Sequence, residues 1–106
     1  MRPIPTGYTV NQKILAQTSS FVPIGSPTFF NDVFQNGIEI TGVTVTTSLV
    51  DGTTGAYLQS WIPNAVGDYQ IYTQISSGAT IYNSFMSEIF NVLSNQALST
   101  NVYVGL

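Results

Sequence analysis

At 106 residues and 11.5 kDa the chain has room for one domain and one core. Charged residues make up 7% of it, against roughly 25% in an ordinary soluble domain, and the net charge of -3 leaves no basic stripe to neutralise phosphates, so nucleic acid is not expected as a partner. With no His and no Cys, thiol nucleophiles, imidazole bases, disulfides and nearly every zinc or transition-metal site drop out, and neither an enzyme chemistry nor a cofactor is expected.

Val, Ile and Thr supply 33 residues, recurring in short alternating runs between Gly, Pro, Asn and Ser clusters, which predicts an all-β fold. Residues 1–27 carry Pro3, Pro5, Pro23 and Pro27 and read as an extended N-terminal arm with one strand over 8–16; residues 28–106 read as the β-sandwich domain. The body starts near Phe29, and Asn36-Gly37 marks the first strong turn, after which an extended run resumes over 38–40. Val43, Val45, Thr47 and Leu49 alternate with Thr44, Thr46 and Ser48 to give the clearest strand, and Asp51-Gly52 with Gly55 suits a hairpin loop needing positive φ. Strands follow over 56–62 and from Tyr69 to Ile75, and Ser77-Gly78 turns the chain into 79–82. Residues 84–95 read two ways: Phe85, Ile89 and Val92 fall at helical spacing behind Ser84, but the Asn and Ser content favours an edge strand after a bend. Residues 100–104 alternate as a closing strand or a second arm. No apolar run approaches the roughly 20 residues of a bilayer span, so no membrane partner is expected.

The stretch 61–71 resembles the E to F corner of immunoglobulin-like sandwiches, where a small residue precedes by two a Tyr whose hydroxyl bonds back to the corner's backbone. Gly67 and Tyr69 occupy those positions; Ile71 stands where antibody domains carry a Cys, which removes the disulfide subtype. The resemblance implies an immunoglobulin-like antiparallel β-sandwich. A small Cys-free, His-free sandwich rich in Thr, Ser, Asn and Gln is in turn similar to bacteriophage virion proteins of the head decoration (cement) and tail-associated kinds. That similarity implies a non-enzymatic structural role: capsid or tail proteins as partners, homo-oligomers, and a place in the virion after assembly in the host cytoplasm.

Phe21, Phe29, Phe30 and Phe34 crowd in or beside the irregular segment, where a core of this size has limited room for all four, and with Tyr103 they are the expected assembly interface; an equal reading puts Phe29, Phe30 and Phe34 in a first strand facing inward. Tyr57 and Trp61 share strand parity and could form a glycan platform, the feature a carbohydrate-binding module would use; core duty is the competing reading. Asp51 and Asp68, beside Gly52 and Gly67, read as turn residues rather than calcium ligands.

Overall fold

The computed structural model describes residues 2–94 and, among these, all regular structure is β: β1 (Arg2–Pro5), β2 (Val10–Leu15), β3 (Thr28–Gln35), β4 (Ile38–Ile40), β5 (Thr46–Asp51), β6 (Ala56–Trp61), β7 (Gly67–Ser77), β8 (Thr80–Met86) and β9 (Phe90–Leu93). The expected all-β class holds. A six-stranded sheet runs β1-β9-β7-β3-β4, with β8 also paired to β7; a three-stranded sheet runs β2-β6-β5. Pairing is antiparallel except between β1 and β9, which run parallel with Arg2 opposite Phe90 and Pro5 opposite Leu93. Tyr103 and the run over 100–104 lie outside the described residues.

Residues 2–27 place one strand in each sheet and bury Val10, Ile14, Ala16 and Ile24 in the core rather than extending away as an arm. Proline argued against the strand at β1 but is compatible with it. Pro3 and Pro5 are two apart, so their missing N–H groups fall on the same side of the strand, while Thr6 N–H on the opposite parity donates to the Leu93 carbonyl at 2.8 Å. Two further boundaries differ from the sequence pattern. Strand β5 begins at Thr46, with Val43 and Val45 packing from the preceding loop, and residues 84–93 are strand, broken at residues 87–89.

Period-2 alternation in β7 sends Tyr69, Ile71, Thr73 and Ile75 inward, where the residues of the smaller sheet meet them. One cluster joins Val10 and Trp61 of the smaller sheet to Val33, Tyr69, Ile71, Phe90 and Val92 of the larger. A second joins Ile14, Ala16 and Ile24 to Ile75, with Phe29, Tyr57 and Phe85 packed against it. Each large side chain so buried contributes about 2 kcal/mol. Three polar residues bridge the sheets: Gln59 Nε2 donates to Asn31 Oδ1 and Thr73 Oγ1, both at 2.9 Å, and the Thr73 hydroxyl donates to Asn31 Oδ1 at 3.0 Å.

Candidate attachment surface

Three connections meet at one end of the molecule. β2 delivers residues 16–27, β5 and β6 are joined through 52–55, and β7 turns into β8 through Gly78 and Ala79. Hydrogen bonds tie them together: Ala16 N–H to the Gly55 carbonyl at 2.8 Å, the Gln17 side-chain amide to the Thr54 carbonyl at 2.7 Å, and the Ser77 hydroxyl to the Gly25 carbonyl at 2.8 Å. Gly55 is required here, because at φ 73° a Cβ would sit 2.5 Å from the Ala16 carbonyl oxygen.

The tip of this end is a tight turn. Thr18 N–H donates to the Val22 carbonyl at 2.8 Å, Phe21 N–H donates to the Thr18 carbonyl at 2.9 Å, and the Thr18 hydroxyl oxygen accepts from Ser20 and Val22 N–H, each at 3.3 Å. These bonds hold Phe21 at φ 63°, a left-handed conformation that a bulky side chain rarely adopts, with the ring 81% exposed. Val22, Leu15, Leu49, Val50 and Ile81 stand exposed around the same end. Among the described residues of these three connections and the strand ends they join, the charged one is Asp51, whose carboxylate accepts from the Thr53 hydroxyl at 2.7 Å and from Thr53 N–H at 3.0 Å; these bonds hold its carboxyl below the ordinary range. The end therefore presents exposed apolar side chains among serine and threonine hydroxyls, is nearly neutral and is held in one shape by backbone bonds.

The other expected interface residues separate by strand face. Phe30 is 54% exposed on the outer face of the larger sheet, in the parity of Gln74, and Phe34 is half-buried on that face opposite Gln70. Phe29 points inward and stacks on Tyr57 with ring centroids 4.8 Å apart, so it belongs to the core. The glycan platform is not available: Trp61 is 2% exposed, packed 5.4 Å from the Tyr69 ring and 5.6 Å from that of Phe90, and Tyr57 faces the same interior.

At the corner before β7, the Tyr69 hydroxyl donates to the Ala65 carbonyl at 3.0 Å, and burial pushes it above its usual pKa. Gly67 at φ 142° leaves room for the Gln35 and Asn36 side chains, which pin the corner through Gln35 Nε2 to the Val66 carbonyl and Asp68 N–H to Asn36 Oδ1. Asp68 sits within β7 and accepts from Asn91 Nδ2 at 2.7 Å, so it is a strand residue rather than a turn one. An open depression of about 270 Å³ lined by Thr9, Thr44, Thr46, Ser60, Trp61 and Ile62 contains hydroxyls but no titratable group. Among the described residues no three of His, Cys, Asp and Glu gather where they could hold a metal ion. Comparison of the chain with family models, curated proteins and solved structures finds no match.

Proposed function

We propose that the chain is a non-enzymatic structural protein of a viral particle, an immunoglobulin-like β-sandwich that attaches to the head as a decoration or cement protein through its apolar loop end. The observation that carries the attachment is the turn over 18–22, which holds an exposed Phe in a strained conformation. Ordering a bulky apolar side chain in water costs free energy and gains no burial, whereas a ring held in place loses little entropy when it docks. The apolar residues around it and the single internally bonded carboxylate suit contact with a neutral protein surface.

The immunoglobulin-like reading is supported by strand order. With β2, β6 and β5 taken as strands B, E and D, β3, β7 and β8–β9 as C, F and G, and β4 as C′, the strand order supports that reading, and the bond from Tyr69 to Ala65 resembles a tyrosine corner. Two departures stand beside it. The first strand pairs with β9 in the larger sheet, and the buried Trp lies on the E equivalent rather than on C.

The test is density-gradient separation of particles released from the producing host. The chain is expected in the particle band at a fixed ratio to the major shell protein, and Phe21→Ser is expected to shift it to the free fraction without unfolding it. A chain confined to free protein in the unaltered host overturns the proposal, and a chain found only with detached tails replaces the head with the tail as its site.

A further inference from the structure

We infer that β8 is a self-association edge, through which a second copy of this chain pairs antiparallel about a twofold axis at Ser84 and joins the two larger sheets into one. β8 pairs with β7 on one side, and no described strand covers the other. An uncovered strand presents unpaired N–H and C=O groups and accepts another strand unless its sequence blocks it.

The remaining edges are blocked. β1 carries Pro3 and Pro5, β2 carries Lys13, β4 is three residues long with Glu39 at its centre, and β5 ends in Asp51. Strand β8, TIYNSFM, has neither a charge nor a proline, and its irregularity is one bulge that leaves Tyr82 without an opposite residue on β7. A neutral edge does not repel its own copy.

The register follows from parity. Ser84 N–H is taken by its neighbour's side chain, Asn83 Oδ1, at 2.9 Å rather than by β7, so Ser84 and, two residues on, Met86 direct their backbone groups to the open side, while the bulge at Tyr82 interrupts the alternation there. A twofold at Ser84 opposes Ser84 to Ser84 and Tyr82 to Met86 of the copy. Those two side chains are 45% and 46% exposed, and the pairing brings a thioether against an aromatic ring. The Ser84 pair exchanges two backbone hydrogen bonds, with the Asn83 amide giving way to a main-chain carbonyl. The interface is one strand wide, so the dimer forms with rising concentration and is not permanent.

The inference stands apart from attachment through the loop end, because it is read on the purified chain alone. The chain has no Cys, so single-Cys variants report without background. Across the twofold the Ser84 Cα atoms are about 5.5 Å apart, within disulfide reach. Under mild oxidation Ser84→Cys is expected to cross-link to a covalent dimer, whereas Ser48→Cys on the blocked β5 edge stays monomeric. In analytical ultracentrifugation from about 1 to 500 μM, chosen to bracket a weak interface, the unaltered chain is expected to rise from 11.5 kDa towards twice that mass. Ser84→Lys, which opposes two cations at the axis, is expected to abolish the rise, and Ser48→Lys to leave it. A monomer at every concentration, a dimer indifferent to Ser84→Lys, or equal cross-linking at positions 48 and 84 overturns the inference.

Discussion

Tyr69 joins the corner before β7 to the core by two means, its ring packed on Trp61 and its hydroxyl bonded to the Ala65 carbonyl. Because burial raises its pKa above the ordinary value of 10.0, the folded state holds the phenolic proton more tightly than the unfolded chain does. This contribution to stability is complete below pH 10 and is lost as pH climbs through the raised folded value. Tyr69→Phe is expected to lower stability at pH 8 by about 1 kcal/mol, the net worth of one hydrogen bond, and to flatten the decline that sets in above pH 10; urea unfolding from pH 8 upward checks both, and parallel curves would refute the assignment. At Phe21 the expected signs are opposite. Gly removes a left-handed strain of about 1 kcal/mol and gives up no burial, so Phe21→Gly should hold or raise the unfolding midpoint while particle attachment falls. The corner was legible because Gly67 and Tyr69 are sequence neighbours. The strain at Phe21 was not, because it comes from the bonding pattern of the whole turn around Thr18.

The break at residues 87–89 shows how one side chain bends a strand while keeping its backbone satisfied. Ser87 Oγ accepts Ile71 N–H at 2.8 Å and donates to the Glu88 carbonyl at 2.8 Å, while Ser87 N–H donates to the Ile71 carbonyl at 2.9 Å. Ser87→Ala leaves the Ile71 N–H buried without its acceptor, a loss of about 1 to 3 kcal/mol. Hydrogen exchange at Ile71 should accelerate more than at Thr73, and uniform acceleration along β7 would show that the loss is global rather than local. The apolar spacing of Phe85, Ile89 and Val92 imitates a helix because this break resets the alternation between β8 and β9. β1 was illegible for another reason. Its two prolines forbid an interior strand but not an edge, and which it is depends on a partner some 90 positions along the chain.

Across the whole molecule the two apolar clusters are separated by the bridge of Gln59, Asn31 and Thr73, which joins one sheet to the other. Gln59 Oε1 is buried without a hydrogen-bond partner, so Gln59→Leu removes two donated bonds together with one unmet acceptor and is expected to change stability by less than about 1 kcal/mol. Asn31→Leu withdraws the acceptor shared by Gln59 and Thr73 and is expected to cost about 1 to 3 kcal/mol in the same urea titration. The reverse ranking would mean that the bridge depends on Gln59. Its inward parity with Tyr57 and Trp61 was readable in the sequence, but its polar partners come from β3 and β7 and were not. The pairing of β1 with β9 sets the order of events during synthesis. Residues 2–5 leave the ribosome well before their partner strand, which is complete only at residue 93, about 5 to 20 seconds later at ordinary elongation rates. Until then that side of the larger sheet has no template, and residues 2–5 wait for the strand that receives them.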